Sequence, residues 1–297
     1  MLKFALKIAV STTLLYFILK FVGIDKIYHE LSASNLFYVT LGISLIPAQI
    51  LFKALRWNFM IHIFKNEIGL KSSFTYTLIS QAFGIITPGR VGEFVKAKFL
   101  VEKTGMSYKK SFITVVLDKL FDVITVVFAA LAGLALINAI PFSKTLFVIA
   151  FLTYFLLVSF SFLFFETIKK IVYGLIPQKY KENFQGLHIT LNLYAKSLAY
   201  SVLIWTILSL QGFLISKALY MDLSFSSMLA IIPLMAFSSM VPFSIGGIGV
   251  REAIAIYFFM PFGVTPEKSV LFSIINTFVS FGIPAIIGAI IYAIKKK

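Results

Sequence analysis

Residues 242–252 read Pro242-Phe243-Ser244-Ile245-Gly246-Gly247-Ile248-Gly249-Val250-Arg251-Glu252, a helix-breaking, glycine-rich stretch between two apolar runs. The first half of the chain holds a shorter stretch of the same ingredients, Thr87-Pro88-Gly89-Arg90-Val91-Gly92-Glu93. The same pair stands six residues before each proline, Ala82-Phe83 in one and Ala236-Phe237 in the other. Inside a bilayer no water satisfies a broken backbone, so such breaks persist only where protein or a wet cavity surrounds them. Interrupted apolar segments at corresponding positions in two halves of a chain point to a transport site.

The surroundings of these breaks are set by composition. With 59% hydrophobic residues, a mean hydropathy of +0.95 and 13% charged residues, the chain falls outside soluble statistics and reads as an integral membrane protein. It has no cysteine, which removes disulfide frameworks, thiolate metal sites and cysteine nucleophiles. His29, His62 and His188 are too scattered to suggest a metal cluster, and no cofactor is expected. On a membrane chain a net charge of +15 reads as lysine-rich loops facing cytoplasm and anionic headgroups rather than as a nucleic-acid surface.

Six runs read as full spans: 8–22, 36–52, 112–137, 145–165, 198–219 and 270–294. Arg56 and Trp57, just past the second run, read as a snorkelling anchor and an interfacial ring. Segments 74–88 and 228–242 hold 15 residues each. As helices they rise about 22 Å against roughly 30 Å of hydrocarbon, so each is expected to dip in and return as a re-entrant hairpin. The 112–137 run carries Asp118 and Asp122 on one face at i, i+4 spacing. Either these acids lie below the headgroups and serve a function, or the helix protrudes and they sit at the interface. Segment 166–196 is the longest hydrophilic stretch, and Gly282 and Pro284 mark a kink in the last span.

Placing the amino terminus inside puts Lys3, Lys7, the basic 90–110 and 166–196 segments and the lysine tail on the cytoplasmic side. Lys26, Lys144 and Lys268 are left outside. The expected architecture is an all-α polytopic membrane protein with six spans, two hairpins and both termini inside. It forms a single membrane domain in which 1–137 and 138–297 are inverted halves.

The Pro88-Gly89-Arg90-Val91-Gly92-Glu93 stretch, the Asp118-Lys119-Leu120-Phe121-Asp122 run and the 242–252 stretch, in this order, resemble the transmembrane domain of lysylphosphatidylglycerol synthases. The resemblance covers nearly the whole chain from Arg56-Trp57 onward. It implies a flippase-like protein that moves a charged-headgroup phospholipid or lipid-linked precursor between leaflets. Its partner would be a membrane lipid, either an anionic or zwitterionic phospholipid or a polyprenyl-phosphate-linked lipid, with no nucleic acid. The chain ends in three lysines after Ile294, so the aminoacyl-transferase domain of the full-length synthases is expected to be absent and lysyl transfer is not carried over.

The motif residues suit such a role on their own chemistry. Gly246, Gly247 and Gly249 would let a ligand approach the backbone, and a helix starting near Gly249 would turn its free N–H groups toward an anion. Arg251 would add a planar fork. The expected substrate-binding set is Pro88, Gly89, Arg90, Gly92, Glu93, Asp118, Asp122, Pro242, Ser244, Gly246, Gly247, Gly249, Arg251 and Glu252, with no catalytic and no metal-binding residue. Arg90, Glu93, Arg251 and Glu252 are expected to form one buried polar cluster where the hairpins meet. Against this stands a structural reading, in which the arginines and glutamates pair across the hairpins only to hold them together. The rival functions are an intramembrane transferase using Asp118, Asp122 and Glu252 as acid and base groups, and a small-solute or ion-coupled transporter.

Overall fold

The computed structural model describes residues 2–136, 190–240 and 247–295, with positions 145, 148–149, 152–156 and 170 between them. Among the described residues the regular structure is all helical, without a strand. That is the expected solution for an apolar chain, because a helix satisfies its backbone groups within one segment.

The chain begins with α1 (Leu2–Val22) and the short amphipathic α2 (Ile24–Ser32). Asn35 then caps α3 (Leu36–Ser44) by accepting the Phe37 N–H at 3.0 Å. Helix α4 (Ile46–His62) comes after a kink at Leu45, with Pro47 in its first turn. Further on come α7 (Tyr108–Leu136), α8 (Leu191–Ala218) and α11 (Pro266–Thr277). A π-helical turn over Phe278–Gly282 joins α11 to α12 (Ile283–Lys295), where the sequence marks a kink. Among the described residues three stretches are long and apolar enough to cross a bilayer: Leu36–His62, Leu191–Ala218 and Pro266–Lys295. Helix α7, at 29 residues, is about 43 Å long and exceeds the hydrocarbon thickness, but it carries charges in its first half.

The two breaks have matching form. Helix α5 (Leu70–Ile85) has 16 residues, a tight 3-10 stretch succeeds it over Pro88–Phe94, and α6 (Val95–Thr104) has ten and packs back on α5. Helix α9 (Phe225–Met240) again has 16 residues, and α10 (Val250–Phe259) has ten and packs back on α9. The break helices are exchanged between halves, since α5 lies along α12 and α9 lies along α7. Residues 241–246 fall outside the described residues, and with them the expected site residues Pro242, Ser244 and Gly246. The same holds for most of the expected 145–165 span and of the 166–196 loop.

Two expectations are corrected. The second span does not end at Phe52, because α4 continues to His62 and buries Lys53, Ala54, Arg56 and Trp57. Trp57 is fully buried, its Nε1–H donating to Thr114 Oγ1 at 3.2 Å, and is not an interfacial ring. Among the described residues the apolar core has two parts. The larger gathers residues of α4, α5 and α7–α11, such as Ile50, Leu208, Met235 and Phe272. The smaller joins Trp57, Met60, Leu100 and Val115.

Close helix approach is built on glycine at Gly288 of α12, where a Cβ would stand 2.0 Å from the Leu78 carbonyl oxygen of α5. Gly288→Ala is therefore expected to push α5 and α12 apart and to cost about 1–3 kcal/mol or more, read as a lower melting temperature in detergent. Gly69→Ala, at φ −59 with open space around it, is expected to stay within about 0.5 kcal/mol. Equal melting temperatures for the two variants would contradict this packing of α5 on α12.

Candidate functional site

Helix α4 carries Gln49, Lys53 and Arg56 along one face of an apolar segment, and all three are buried. Arg56 is 1% exposed. Its Nε donates to Asp118 Oδ1 at 2.7 Å, and its Nη1 donates to Asp122 Oδ1 at 2.6 Å and to Ser201 Oγ at 2.7 Å. This corrects the reading of Arg56 as a snorkelling anchor. A guanidinium that two carboxylates and a hydroxyl hold inside the protein has no reason to reach for the interface. Asp118 and Asp122 of α7 are themselves buried and turned inward.

The network continues from both acids. Lys96 of α6 donates to Asp118 Oδ2 at 2.5 Å and lies 4.8 Å from the centre of the Trp57 ring. Lys119 stands 3.6 Å from Asp122 Oδ2 and pairs with Glu93. Glu93 in turn has its Oε1 at 2.6 Å from Arg90 Nε, and Arg90 Nη2 donates to Gln81 Oε1. A chain of alternating charge thus runs from α4 through α7 to the first break. Burial makes each carboxylate depend on its cations, since an unpaired ion in the interior costs several kcal/mol.

Local backbone form aims Arg90 and Glu93 into this core. Gly89 and Arg90 adopt left-handed conformations, with φ of 62° and 56°. Thr87 Oγ1 accepts the Gly92 N–H at 2.7 Å, and a Cβ on Gly92 would meet the Phe83 carbonyl oxygen at 2.0 Å. Gly92, expected in the substrate-binding set, therefore lets the turn fold onto α5. Pro88 opens the turn.

The second break contributes differently. Gly247 and Gly249 have φ of 80° and 85°, and a Cβ on Gly249 would stand 2.5 Å from the Leu14 Cβ of α1, so this glycine also serves protein packing. Glu252 turns back to accept the Gly249 N–H at 2.6 Å and the Ser273 hydroxyl at 2.8 Å. Its carboxylate fills the end of α10 that the sequence assigned to an anionic guest. Arg251 donates to Thr277 Oγ1. The expected cluster of Arg90, Glu93, Arg251 and Glu252 is thus divided. No Arg–Glu pair crosses between the breaks among the described residues, and the two arginines instead share one ring. The Cζ atoms of Arg90 and Arg251 lie 4.3 Å and 5.8 Å from the centre of Phe281, in the π-helical turn. Such turns recur at functional positions.

Lys53 is the group the sequence reading missed most completely. It is 8% exposed, its Nζ sits 5.5 Å from the Phe281 ring, and no carboxylate lies within ion-pair distance among the described residues. Lys53, Lys96, Lys119, Gln81 and Phe281 were all absent from the expected set. The one signal available was the polar stripe at positions 49, 53 and 56 in an otherwise apolar helix.

Between these groups lies a cavity of about 50 Å³, lined by Lys53, Arg56, Gln81, Arg90, Glu93 and Asp118 among others. That is room for about four waters. A smaller space of about 10 Å³ adjoins Arg251, Asn276 and Ser280. Trp205, Leu208, Ala236 and Phe281 belong to the walls of both. Among the described residues no group of three or more His, Cys, Asp or Glu side chains is placed to hold a metal ion.

Comparison with known proteins places this geometry in a family. A UPF0104 membrane protein of Pyrococcus horikoshii is 26% identical, with 98% of this chain and 97% of the relative aligned. A UPF0104 membrane protein of Methanothermobacter thermautotrophicus is 23% identical over 96% of this chain and 94% of its own. Another from Methanocaldococcus jannaschii is 23% identical over 98% and 97%. The family described as the lysylphosphatidylglycerol synthase TM region matches residues 4–288. The chain is therefore a multi-pass membrane protein that belongs to the lysylphosphatidylglycerol synthase TM-region family.

Proposed function

We propose that this protein is a flippase-like lipid transporter, which moves an amphipath with a charged headgroup between leaflets by way of the cavity between the two breaks. The observation that carries this reading is the cavity itself, a charged space inside an apolar helical protein, walled by Arg90 of one break and adjoining Arg251 of the other. Charged groups at membrane depth are costly and mark substrate paths when they border a cavity. Further support comes from the matched lengths of the break helices and their exchange between halves, α5 along α12 and α9 along α7. That pattern is what two inverted repeats meeting at a midplane site would produce. The same reading takes the breaks as re-entrant hairpins among six spans, with both termini inside. The carboxylates a transferase would use favour transport over chemistry. Asp118 and Asp122 are held by Arg56, and Glu252 is held by a backbone N–H and a serine.

Topology is testable because the chain has no cysteine of its own. Cysteine at Lys26 is expected to react with an impermeant maleimide on intact cells, and cysteine at Lys103 only after permeabilisation. The reverse pattern would rule out the proposed orientation and hairpins.

In proteoliposomes, Arg90→Lys and Arg251→Lys keep the charge but lose the planar fork. Each is expected to slow lipid translocation by about tenfold while the variant remains folded, corresponding to roughly 1.4 kcal/mol. Parent rates in both folded variants would reduce the arginines to scaffolding. A new chemical product from lipid supplied in detergent would favour the transferase instead.

A further inference from the structure

The cavity is not electrically balanced. Among the described residues five cationic side chains line it, Lys53, Arg56, Arg90, Lys96 and Lys119, against the three carboxylates Glu93, Asp118 and Asp122. That is a surplus of two among the described lining residues; Arg251 lines the adjoining space, and Glu252, its neighbour in the chain, is buried outside that lining. The ion pairs show where that surplus sits. Arg56 and Lys96 are absorbed by Asp118 and Asp122, and Lys119 and Arg90 share Glu93. Lys53 is left more than nine-tenths buried, facing the cavity, with the ring of Phe281 as its nearest partner. An ammonium without a carboxylate in a low-dielectric core is a strong attractor for an anion that fits.

We propose that the cavity binds a phosphate dianion of the monoester type, with Lys53 as its principal ligand and Arg90 closing on it from the first break. This rests on the transport reading and adds the charge class of the headgroup. Two negative charges match the surplus of two. The geometry also agrees, since a cavity of about 50 Å³ has room for a single tetrahedral oxyanion in place of its waters. The same count argues against the cationic aminoacyl lipid that the family description brings to mind. That headgroup's ammonium groups outnumber its phosphodiester charge, and it would add positive charge where positive charge is already in excess.

The chain itself supplies the test. It has two tryptophans, and Trp205 belongs to the cavity wall, so Trp57→Phe leaves one indole reporting from the site. With that full-length variant in nanodiscs, farnesyl phosphate is expected to change Trp205 emission saturably. Farnesol and farnesyl trimethylammonium are expected to bind at least tenfold more weakly. Adding Lys53→Met, which removes an unpaired buried charge, should leave the fold intact and weaken farnesyl phosphate by about 10- to 100-fold, the worth of one charge-assisted hydrogen bond. Lys53→Arg should stay within a few-fold of the parent. Thermal stabilisation of the unmodified chain by the same probes gives a second readout free of the Trp57 change. A cationic probe that binds as tightly as the phosphate, or a Lys53→Met variant that binds it undiminished, overturns the inference. If another lipid is still translocated, that failure leaves the transport reading standing. Inorganic phosphate matching farnesyl phosphate in affinity would keep the dianion site and overturn the lipid as its source.

Discussion

Arg56 is a charge that an apolar helix cannot carry alone. An arginine at the centre of a membrane helix is unfavourable by roughly 2.5–3.5 kcal/mol on insertion scales. Its retention here is explained by three partners from two other helices, Asp118 and Asp122 of α7 and Ser201 of α8. The pairing fixes more than one side chain. It sets the rotation of α4 against α7, places α8 beside both, and leaves Asp118 Oδ2 for Lys96 of α6. Removing either partner of such a pair costs about 3–5 kcal/mol because the other charge stays buried. The α4–α7–α8 contact and the approach of the first break are thus consequences of one electrostatic requirement.

Charge balance explains only part of the core. A set of ion pairs that served to hold helices together would have no need of Lys53, nor of a cavity beside it. Phe281 links α4 and the two breaks, since three cations from α4, the first break and α10 approach one ring. The ring stands in a π-helical turn, whose widened backbone changes the helix register between α11 and α12. It also stands in the wall shared by the two cavities.

The breaks and the paired acids were legible in the sequence because their signals are local. Proline and glycine interrupt an apolar run visibly, and Asp118 and Asp122 share a face by spacing alone. The kink at Gly282 and Pro284 and the helix beginning at Val250 appear where the sequence put them, and the short apolar helix before the first break begins at Leu70, four residues earlier than read. What stayed hidden depends on distant partners. Arg56 near the end of an apolar run has the form of an ordinary anchor, and its carboxylates lie 62 and 66 residues away. The packing role of Gly92 and Gly249 was hidden for a related reason. A glycine that admits a ligand and one that admits a neighbouring helix are the same letter, and only the atoms of Phe83 and Leu14 beside Gly92 and Gly249 tell them apart. Glu252 could have been read as a cap, because an acid three residues past a glycine at a helix start is a common arrangement.

The central claim is that the charged core borders a working cavity with a positive surplus and is more than a set of structural ion pairs. Ser80 of α5 lies in its wall and is 1% exposed, and the chain offers no competing thiol. The direct measurement is the rate at which Ser80→Cys, folded in sealed proteoliposomes, reacts with small methanethiosulfonate reagents of opposite charge. The account predicts reaction in the native protein, with the anionic sulfonate faster than the cationic trimethylammonium despite their similar size. A thiol that reacts only after unfolding, or one that prefers the cation, would contradict it.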